Sequence, residues 1–125
     1  MIAADTSTWI SFFEGAQGDD VLALARALQS RQVVMPPPVL TELLSDPELS
    51  ASVAQTLLEL PLVALKDGFW HRAGRLRAKV LARKRKARLG DALIAQCCID
   101  ADIALITRDG DFKAFSAGLN LLWPS

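Results

Sequence analysis

Acidic residues recur beside short apolar segments throughout this chain of 125 residues. In chain order they are Asp5, Glu42, Asp91, Asp109 and Asp111. Carboxylates that lie close together repel one another, so they normally persist where a hard cation neutralises them. If the fold gathers these five side chains, their oxygen atoms are the ligands that Mg²⁺ or Mn²⁺ prefers.

The remaining composition disfavours other chemistries. His71 is the only histidine, so a Ser/His/Asp triad or a pair of catalytic histidines is not expected. Cys97 and Cys98 are adjacent within an apolar helical pattern, and no second cysteine pair or nearby histidine could complete a zinc site. The chemistry of this chain is therefore expected to depend on carboxylates.

Basic residues are concentrated in one segment although the net charge is zero. No acid occurs between Gly68 and Gly90, and this basic run leads directly to Asp91. Such a run is typical of a surface that contacts nucleic-acid phosphates, although a solvated helix face or a site for an acidic protein segment has the same appearance. The residues predicted to contact RNA are Arg72, Arg75, Lys79, Arg83, Lys84, Arg85, Lys86 and Arg88.

Helical and strand patterns alternate along the chain. The strands are apolar runs without polar alternation, which indicates a parallel sheet buried on both faces. We therefore predict one α/β domain over residues 1–125, a three-layer α/β/α sandwich with a central parallel sheet of four to five strands. The predicted strands are Met1–Ala4, Gln32–Met35, Leu62–Leu65, Ile103–Thr107 and Leu119–Trp123.

Helices are predicted between these strands. Asp19 or Asp20 can cap the second helix, and the sequence Asp46-Pro47-Glu48 is a typical start for the fourth. The predicted helical segments are Thr8–Glu14, a segment from Val21 to Leu28, a segment following Pro36–Pro38, Pro47–Glu59, a long amphipathic helix from Gly68 to about Ala87, Asp91–Asp100 and a turn at Phe112–Phe115.

The predicted topology explains how distant acids could meet. Ligands of open parallel sheets bind beyond the carboxyl ends of the strands, and Asp5 and Asp109 each follow a strand. Asp91 begins a helix that returns toward the same edge, and Glu42 lies near the start of another. Individually, Asp5 and Asp91 could be helix caps and Asp109-Gly110 an ordinary turn, so the interpretation depends on the set.

The order of these blocks resembles that of the PIN domain, most closely the VapC-type toxins of bacterial and archaeal toxin–antitoxin pairs. The blocks are the strand ending in Asp5-Thr6-Ser7, PPPVLTELL, LGDALIA and LITRDGDF. The resemblance implies a Mg²⁺- or Mn²⁺-dependent endoribonuclease whose metal site uses Asp5, Glu42, Asp91 and one acid of the Asp109/Asp111 pair. It also implies an RNA substrate, a cognate antitoxin protein and a homodimer.

Specific roles follow from this resemblance. Asp5, Asp91 and the Asp109/Asp111 pair are expected to bind metal directly or through water, while Glu42 would hold or deprotonate the attacking water or bind a second metal. Hydroxyl groups at the same edge could orient water in the outer shell, although hydroxyls near strand ends are commonly caps. These are the hydroxyls of Thr6, Ser7 and Thr107.

Other functions remain open at the level of sequence. A catalytically inactive PIN-like module that binds RNA or protein is the main alternative. A HAD-type phosphotransferase is disfavoured because Ser7 occupies the place of the second acid that it needs after the first strand. A receiver-like phosphoacceptor domain is disfavoured because the acidic pair at the first strand and the central phosphoacceptor acid are both missing. No signal peptide or membrane-spanning run is apparent, so a cytoplasmic protein without membrane association is expected.

Overall fold

A computed structural model describes residues 1–122 of the chain. Three strands form its sheet: β1 (Ile2–Ala4), β2 (Ala104–Ile106) and β3 (Leu121–Leu122). Among residues 1–122, no helix is both long enough and apolar enough to cross a membrane. The helices are α1 (Thr6–Phe13), α2 (Asp19–Gln29), α3 (Pro37–Leu44), α4 (Ala51–Leu58), α5 (Phe69–Ala82), α6 (Leu89–Ala101) and a 3₁₀ helix at Gly110–Phe115.

The sheet is parallel and has β2 at its centre, between β1 and β3. Consecutive residues of a strand point to opposite faces of a sheet. Ala3 and Ala4 of β1 are both fully buried, as are Leu105 and Ile106 of β2. Both faces of the sheet are therefore covered by other elements, which confirms the predicted three-layer α/β/α arrangement.

The sheet has fewer regular strands than the four to five predicted. The predicted strands around residues 32–35 and 62–65 are present only as isolated parallel bridges, Ile2 with Val33 and Met35 with Leu62. Prolines before and after these segments lack the N–H group that a longer ladder requires. The last predicted strand is represented by β3, and its predicted final residue, Trp123, lies outside the described residues.

Helix boundaries differ from the predictions in two places that affect the charged surface. Helix α5 ends at Ala82 rather than near Ala87, and Lys84 adopts a left-handed conformation with φ 61°. Helix α4 begins at Ala51 rather than Pro47, because Ser50 Oγ accepts a hydrogen bond from the Val53 N–H and caps the helix. Because α5 ends at Ala82, the second half of the basic run lies in a loop between α5 and α6.

Candidate metal centre

Three carboxylates meet at the carboxyl edge of the sheet. One oxygen from each of Asp91, Asp109 and Asp111 lies within 4.8 Å of the others. Asp91 lies in the first turn of α6, Asp109 caps the 3₁₀ helix after β2, and Asp111 belongs to that 3₁₀ helix. Both members of the Asp109/Asp111 pair therefore face Asp91, so the structure brings together the two alternatives that the sequence left open.

Asp5 is buried beside this cluster by hydrogen bonds at the ends of β1 and β2. Its backbone N–H donates to the Ile106 carbonyl, which places the two strand ends side by side. The Thr107 hydroxyl donates to Asp5 Oδ2 at 2.8 Å, and the Thr8 N–H donates to Oδ1 at 3.0 Å. Ser7 Oγ lies 2.9 and 2.8 Å from Oδ1 and Oδ2 of the same carboxylate.

The surroundings of Asp5 have opposing effects on its pKa. Burial raises the pKa, while the hydrogen bonds from Thr8, Thr107 and Ser7 lower it, and burial has the larger effect. Asp5 also caps α1, so the same side chain both caps a helix and lies beside the other acids. Three donors leave one of the roughly four lone-pair positions of a carboxylate for another ligand.

Glu42 faces the same region from the opposite side. Its Oε1 accepts a hydrogen bond from the Thr6 hydroxyl at 2.7 Å, which links α3 to α1. A methyl group added at Gly90 would lie 3.3 Å from Glu42 Oε2, so the absence of a side chain at Gly90 gives Glu42 room beside Asp91. Glu42 is exposed to solvent, whereas Asp5 is buried.

Asp91 has the strongest electrostatic perturbation among these acids. Burial raises its pKa to about 6, with further upward contributions from Asp109, Glu42 and Asp5 and a downward contribution from Arg88. Asp5, Glu42 and Asp109 are therefore all close enough to Asp91 for their charges to interact with it. Asp91 Oδ2 is buried and has no hydrogen-bond partner among the described residues, although buried carboxylate oxygens are normally satisfied.

This combination of donors fits a hard divalent cation. All the candidate ligands are carboxylate oxygens, which suit Mg²⁺ and Mn²⁺. A cation placed among Asp91, Asp109 and Asp111 would offset the repulsion from Asp109 that adds to burial in raising the pKa of Asp91. The residues present are therefore suited to hold a metal ion, and the described part of the chain offers no histidine or cysteine at this position.

Basic side chains connect the α5–α6 loop to this edge. Lys86 Nζ lies 3.1 Å from Asp111 Oδ2, and Arg83 donates to the carbonyl of Ala114 in the 3₁₀ helix. Arg77 donates to the carbonyl of Ala87 and thereby fixes the far end of the loop. These contacts fix the loop that carries the exposed cations Lys84, Arg85 and Arg88, and Arg88 is close enough to Asp91 for their charges to interact.

The helical half of the basic run lies on a different part of the surface. Arg72, Arg75 and Lys79 line one shallow pocket on α5, as their spacing predicts. Arg72 is paired with Asp100 of α6 through two hydrogen bonds of 3.1 and 2.6 Å. Its charge is therefore compensated by an acid outside the basic run, whereas Arg75 and Lys79 are exposed.

Sequence reasoning missed a buried acid next to the cluster. Asp20 is 3% exposed and accepts two hydrogen bonds from Arg108, at 2.8 and 2.9 Å. The Thr8 hydroxyl donates to the same carboxylate at 2.9 Å. Burial alone would raise the pKa of Asp20, but the hydrogen bonds from Arg108 and Thr8 outweigh it and lower the pKa. The only sequence signal is the position of Arg108 beside Asp109.

The two cysteines and the histidine are not part of the carboxylate cluster. Burial raises the pKa of both Cys97 and Cys98 to about 12, so neither thiol ionises near neutral pH. His71 is exposed on α5. Neither residue type contributes to the carboxylate cluster.

Comparison with known proteins identifies the family. The profile of one family, the PIN domain, matches residues 2–118. None of the curated proteins compared with the chain by sequence matches it.

Several solved structures share this fold. A DNA-bound VapBC from Salmonella typhimurium has a TM-score of 0.77 and 17% identity, with 98% of each chain covered. VapBC2 from Rickettsia felis, bound to a DNA fragment from its promoter, has a TM-score of 0.74 and 19% identity over 100% of both chains. VapBC-5 from Mycobacterium tuberculosis, a member of the VapBC family of toxin–antitoxin systems, has a TM-score of 0.64 and 20% identity, covering 98% of this chain and 95% of that one.

Proposed function

This chain belongs to the PIN-domain family, and we propose that it is a metal-dependent endoribonuclease that acts as the toxin of a toxin–antitoxin pair. PIN domains of this kind are in general nucleases that use divalent metals. The observation that carries the proposal is the convergence of carboxylate oxygens of Asp91, Asp109 and Asp111. In addition, Asp91 Oδ2 is buried and has no hydrogen-bond partner among the described residues. Such a cluster is costly unless a cation occupies it.

Asp91, Asp109 and Asp111 would hold the Mg²⁺ or Mn²⁺ ion, with Asp5 contributing its remaining lone pair directly or through water. A bound ion of this type acidifies water and neutralises negative charge on a phosphodiester. The hydrogen bonds from Ser7, Thr8 and Thr107 hold the Asp5 carboxylate in one orientation. Asp5 would therefore need little reorganisation when the site is filled.

Glu42 is assigned the handling of the attacking water. Its carboxylate is exposed, so water can reach it, and the hydrogen bond from Thr6 restricts its orientation. An ionised carboxylate in this position can accept a proton from a water molecule that attacks the phosphorus atom. Thr6 thus acts on Glu42, while Ser7 and Thr107 act on Asp5.

The RNA backbone is assigned to the exposed cations near the acids. Lys84, Arg85, Lys86 and Arg88 lie in the loop before Asp91, and Arg75 and Lys79 continue the positive surface along α5. Lysine and arginine contacts to phosphates position a nucleic acid without reading its sequence, and they weaken as salt is added. Arg83 would act mainly by holding the loop, and Arg72 mainly through Asp100.

Cleavage of a mixed RNA pool with and without Mn²⁺ tests the nuclease proposal. The wild type should cleave only with metal, and Asp91→Asn should reduce the rate about a hundredfold or more, since a bound metal contributes several kcal/mol to catalysis. Asp102→Asn is the matched control, because Asp102 is an exposed acid at the opposite end of α6. If the wild type does not cleave RNA with any divalent metal, the inactive PIN-like binding module becomes the better description.

The toxin assignment extends the fold likeness to the VapBC toxin–antitoxin proteins. We expect the protein to act in the cytoplasm and to bind a cognate antitoxin, whose short reading frame should lie next to its own. Induced expression in a bacterium should arrest growth, Asp91→Asn should not, and co-expression of the neighbouring frame should restore growth. Growth arrest that persists in the Asp91→Asn strain would contradict a nuclease toxin.

Self-association to a homodimer is also proposed. The apolar helices near Thr8–Leu28 and Leu40–Leu58 are suitable surfaces for it, and Ile10 and Leu58 are exposed there. A further apolar groove is lined by Leu65, Trp70 and Leu89, and Trp70 is 67% exposed. Exposed apolar side chains on one surface are typical of protein contacts. Sedimentation should give twice the monomer mass, and a monomer at all concentrations would exclude the dimer.

A further inference from the structure

The buried pair formed by Asp20 and Arg108 lies outside the acid cluster but is connected to it on two sides. Arg108 Nε and Nη2 bind both oxygens of the Asp20 carboxylate, and Nη2 also donates to the Gln17 carbonyl at 3.1 Å. The Asp20 side chain is 1% exposed, compared with 32% for Arg108. A carboxylate this deeply buried requires its counter-ion.

One side of the connection passes through Thr8. The Thr8 hydroxyl donates to Asp20, while the N–H of the same residue donates to Asp5. Thr8 is fully buried, so neither group has water as an alternative partner. Displacement of Asp20 would therefore be transmitted to the Asp5 carboxylate through one residue.

The other side passes through the backbone. Arg108 lies between Thr107, which donates to Asp5 Oδ2, and Asp109, whose N–H donates to the Thr107 hydroxyl. Four hydrogen-bonded contacts and the peptide bond between Thr107 and Arg108 thus form a closed ring through Asp5, Thr8, Asp20, Arg108 and Thr107. Asp5 of the candidate metal centre is a member of this ring, and Asp109 is joined to it through its N–H group, which donates to the Thr107 hydroxyl.

Gly18 shows that the chain makes room for this pair. A methyl group at Gly18 would lie 2.6 Å from Asp20 Oδ1 and 2.7 Å from Arg108 Nη2, and its φ of 152° is strained for other residues. Arg108 is also close enough to Asp5 for their charges to interact. Without Asp20, the Arg108 guanidinium would be left without its counter-ion while still close enough to interact with Asp5 of the metal centre.

We propose that Asp20 is a positioning residue that holds Arg108 away from the metal centre and fixes the corner formed by Thr107, Arg108 and Asp109. This inference rests on the proposed function, because it assigns Asp20 a role in forming the metal site of the nuclease. Asp20 does not itself bind the metal. Its role is to keep a neighbouring cation from competing with the metal for the carboxylates.

Titration calorimetry with Mn²⁺ alone tests the proposal. Asp20→Asn should weaken Mn²⁺ binding about tenfold, the size expected when one unit charge is freed near a partly buried site. Adding Arg108→Gln to Asp20→Asn removes that cation and should restore the dissociation constant to within about threefold of the wild type. A purely structural role predicts no such recovery, because the double variant lacks both members of the ion pair.

Asp100→Asn is the matched control, because it neutralises the acid of another Asp–Arg ion pair, the one between Asp100 and Arg72. Asp100 lies nine residues after Asp91 on α6, or roughly 13 Å along the helix axis. This variant should lower the unfolding temperature without changing Mn²⁺ affinity. If Asp20→Asn does not fold, Gly18→Ala provides the second test, since it displaces the pair while both charges remain; it too should weaken Mn²⁺ binding.

The outcomes separate this inference from the nuclease proposal. Unchanged Mn²⁺ affinity in a folded Asp20→Asn protein, or a double variant as weak as the single one, overturns the positioning role even if the wild type cleaves RNA. Conversely, the predicted loss and recovery of Mn²⁺ affinity supports the positioning role even if no RNA is cleaved. In that second case only the nuclease proposal fails.

Discussion

Asp91 and Asp100 lie on the same helix but have opposite electrostatic environments. Asp100, in the last turn of α6, receives two hydrogen bonds from Arg72 and one from Gln96, and the Arg72 hydrogen bonds hold its pKa below the usual value. Asp91 lies in the first turn. Its burial and the neighbouring acids together raise its pKa to about 6. The acid at one end of the helix is neutralised by an arginine of the protein itself, and a cation from solution would neutralise the acid at the other end.

This difference indicates which acids serve the fold and which serve function. A carboxylate with a guanidinium partner contributes to stability in its ionised form. A carboxylate held among other carboxylates destabilises the metal-free fold and is retained where that arrangement is used. Asp20 has an arginine partner, as Asp100 does, and the proposed positioning of Arg108 is a second role that Asp100 lacks. Asp109 and Asp111 belong with Asp91.

The largest expected effect comes from neutralising each end of α6 in turn. Asp91→Asn should raise the unfolding temperature of the metal-free protein at pH 8 by several degrees, because it removes like-charge repulsion, and it should abolish the stabilisation by Mn²⁺. Asp100→Asn should lower the unfolding temperature and leave the Mn²⁺ effect intact. Thermal unfolding with EDTA and with Mn²⁺ measures both. Two variants that shift in the same direction would contradict the assignment.

A second test is the pH dependence of stability. The folded pKa of Asp91, about 6, lies above its ordinary value of 3.8, so the native state binds more protons between these values. The corresponding stability is fully present below pH 3.8 and is lost as the pH rises through about 6. Burial of Asp5 acts in the same direction.

Denaturant unfolding between pH 4 and 8 in EDTA measures this dependence. The metal-free wild type should become less stable across that range relative to Asp91→Asn, in which the Asp91 contribution is missing. Mn²⁺ affinity should change in the opposite direction, because the metal binds the ionised carboxylates. Parallel curves for the wild type and Asp91→Asn in EDTA would show that Asp91 does not titrate in this window.

The smallest expected effect concerns Lys86, which supplies a partial counter-charge to the acidic end. Lys86→Met should tighten Mn²⁺ binding about two- to fivefold, the size of an exposed ion pair, because the competing ammonium group is removed. The same change should weaken RNA binding. Lys79→Met is the control on α5, expected to weaken RNA binding and leave Mn²⁺ affinity unchanged. Equal Mn²⁺ affinities for Lys86→Met and the wild type would exclude competition by Lys86.

Much of the fold could be predicted because apolar runs determine where a buried parallel sheet must lie. Ile2–Ala4 and Ala104–Ile106 fall within two predicted strands, and their carboxyl ends bring Asp5 beside Thr107. The end of α5 was harder to predict. Positively charged residues with good helix propensity continue beyond Ala82, but Lys84 leaves the helix and the loop is held by tertiary contacts of Arg83 and Lys86.

The candidate site likewise contains residues that the sequence pattern predicts and one whose role depends on a tertiary contact. Asp91 and Asp109 were identifiable because each lies next to a predicted element that ends at one edge. Asp20 was not, because its sequence context favours a helix start and its partner Arg108 is 88 residues away in the chain. A buried ion pair between such distant residues has no local sequence signature.

The pairing of β1 with β2 also affects how the protein is made. Asp5 and its hydrogen-bond partner Thr107 are 102 residues apart, so Asp5 leaves the ribosome well before Thr107. Strand pairing over this separation must wait until both segments are available, and such non-local contacts form slowly. The nascent chain therefore cannot assemble the acidic centre until Thr107 and the acids that follow it have been synthesised, and a shorter nascent chain carries Asp5 and Glu42 without bringing them together with Asp109 and Asp111.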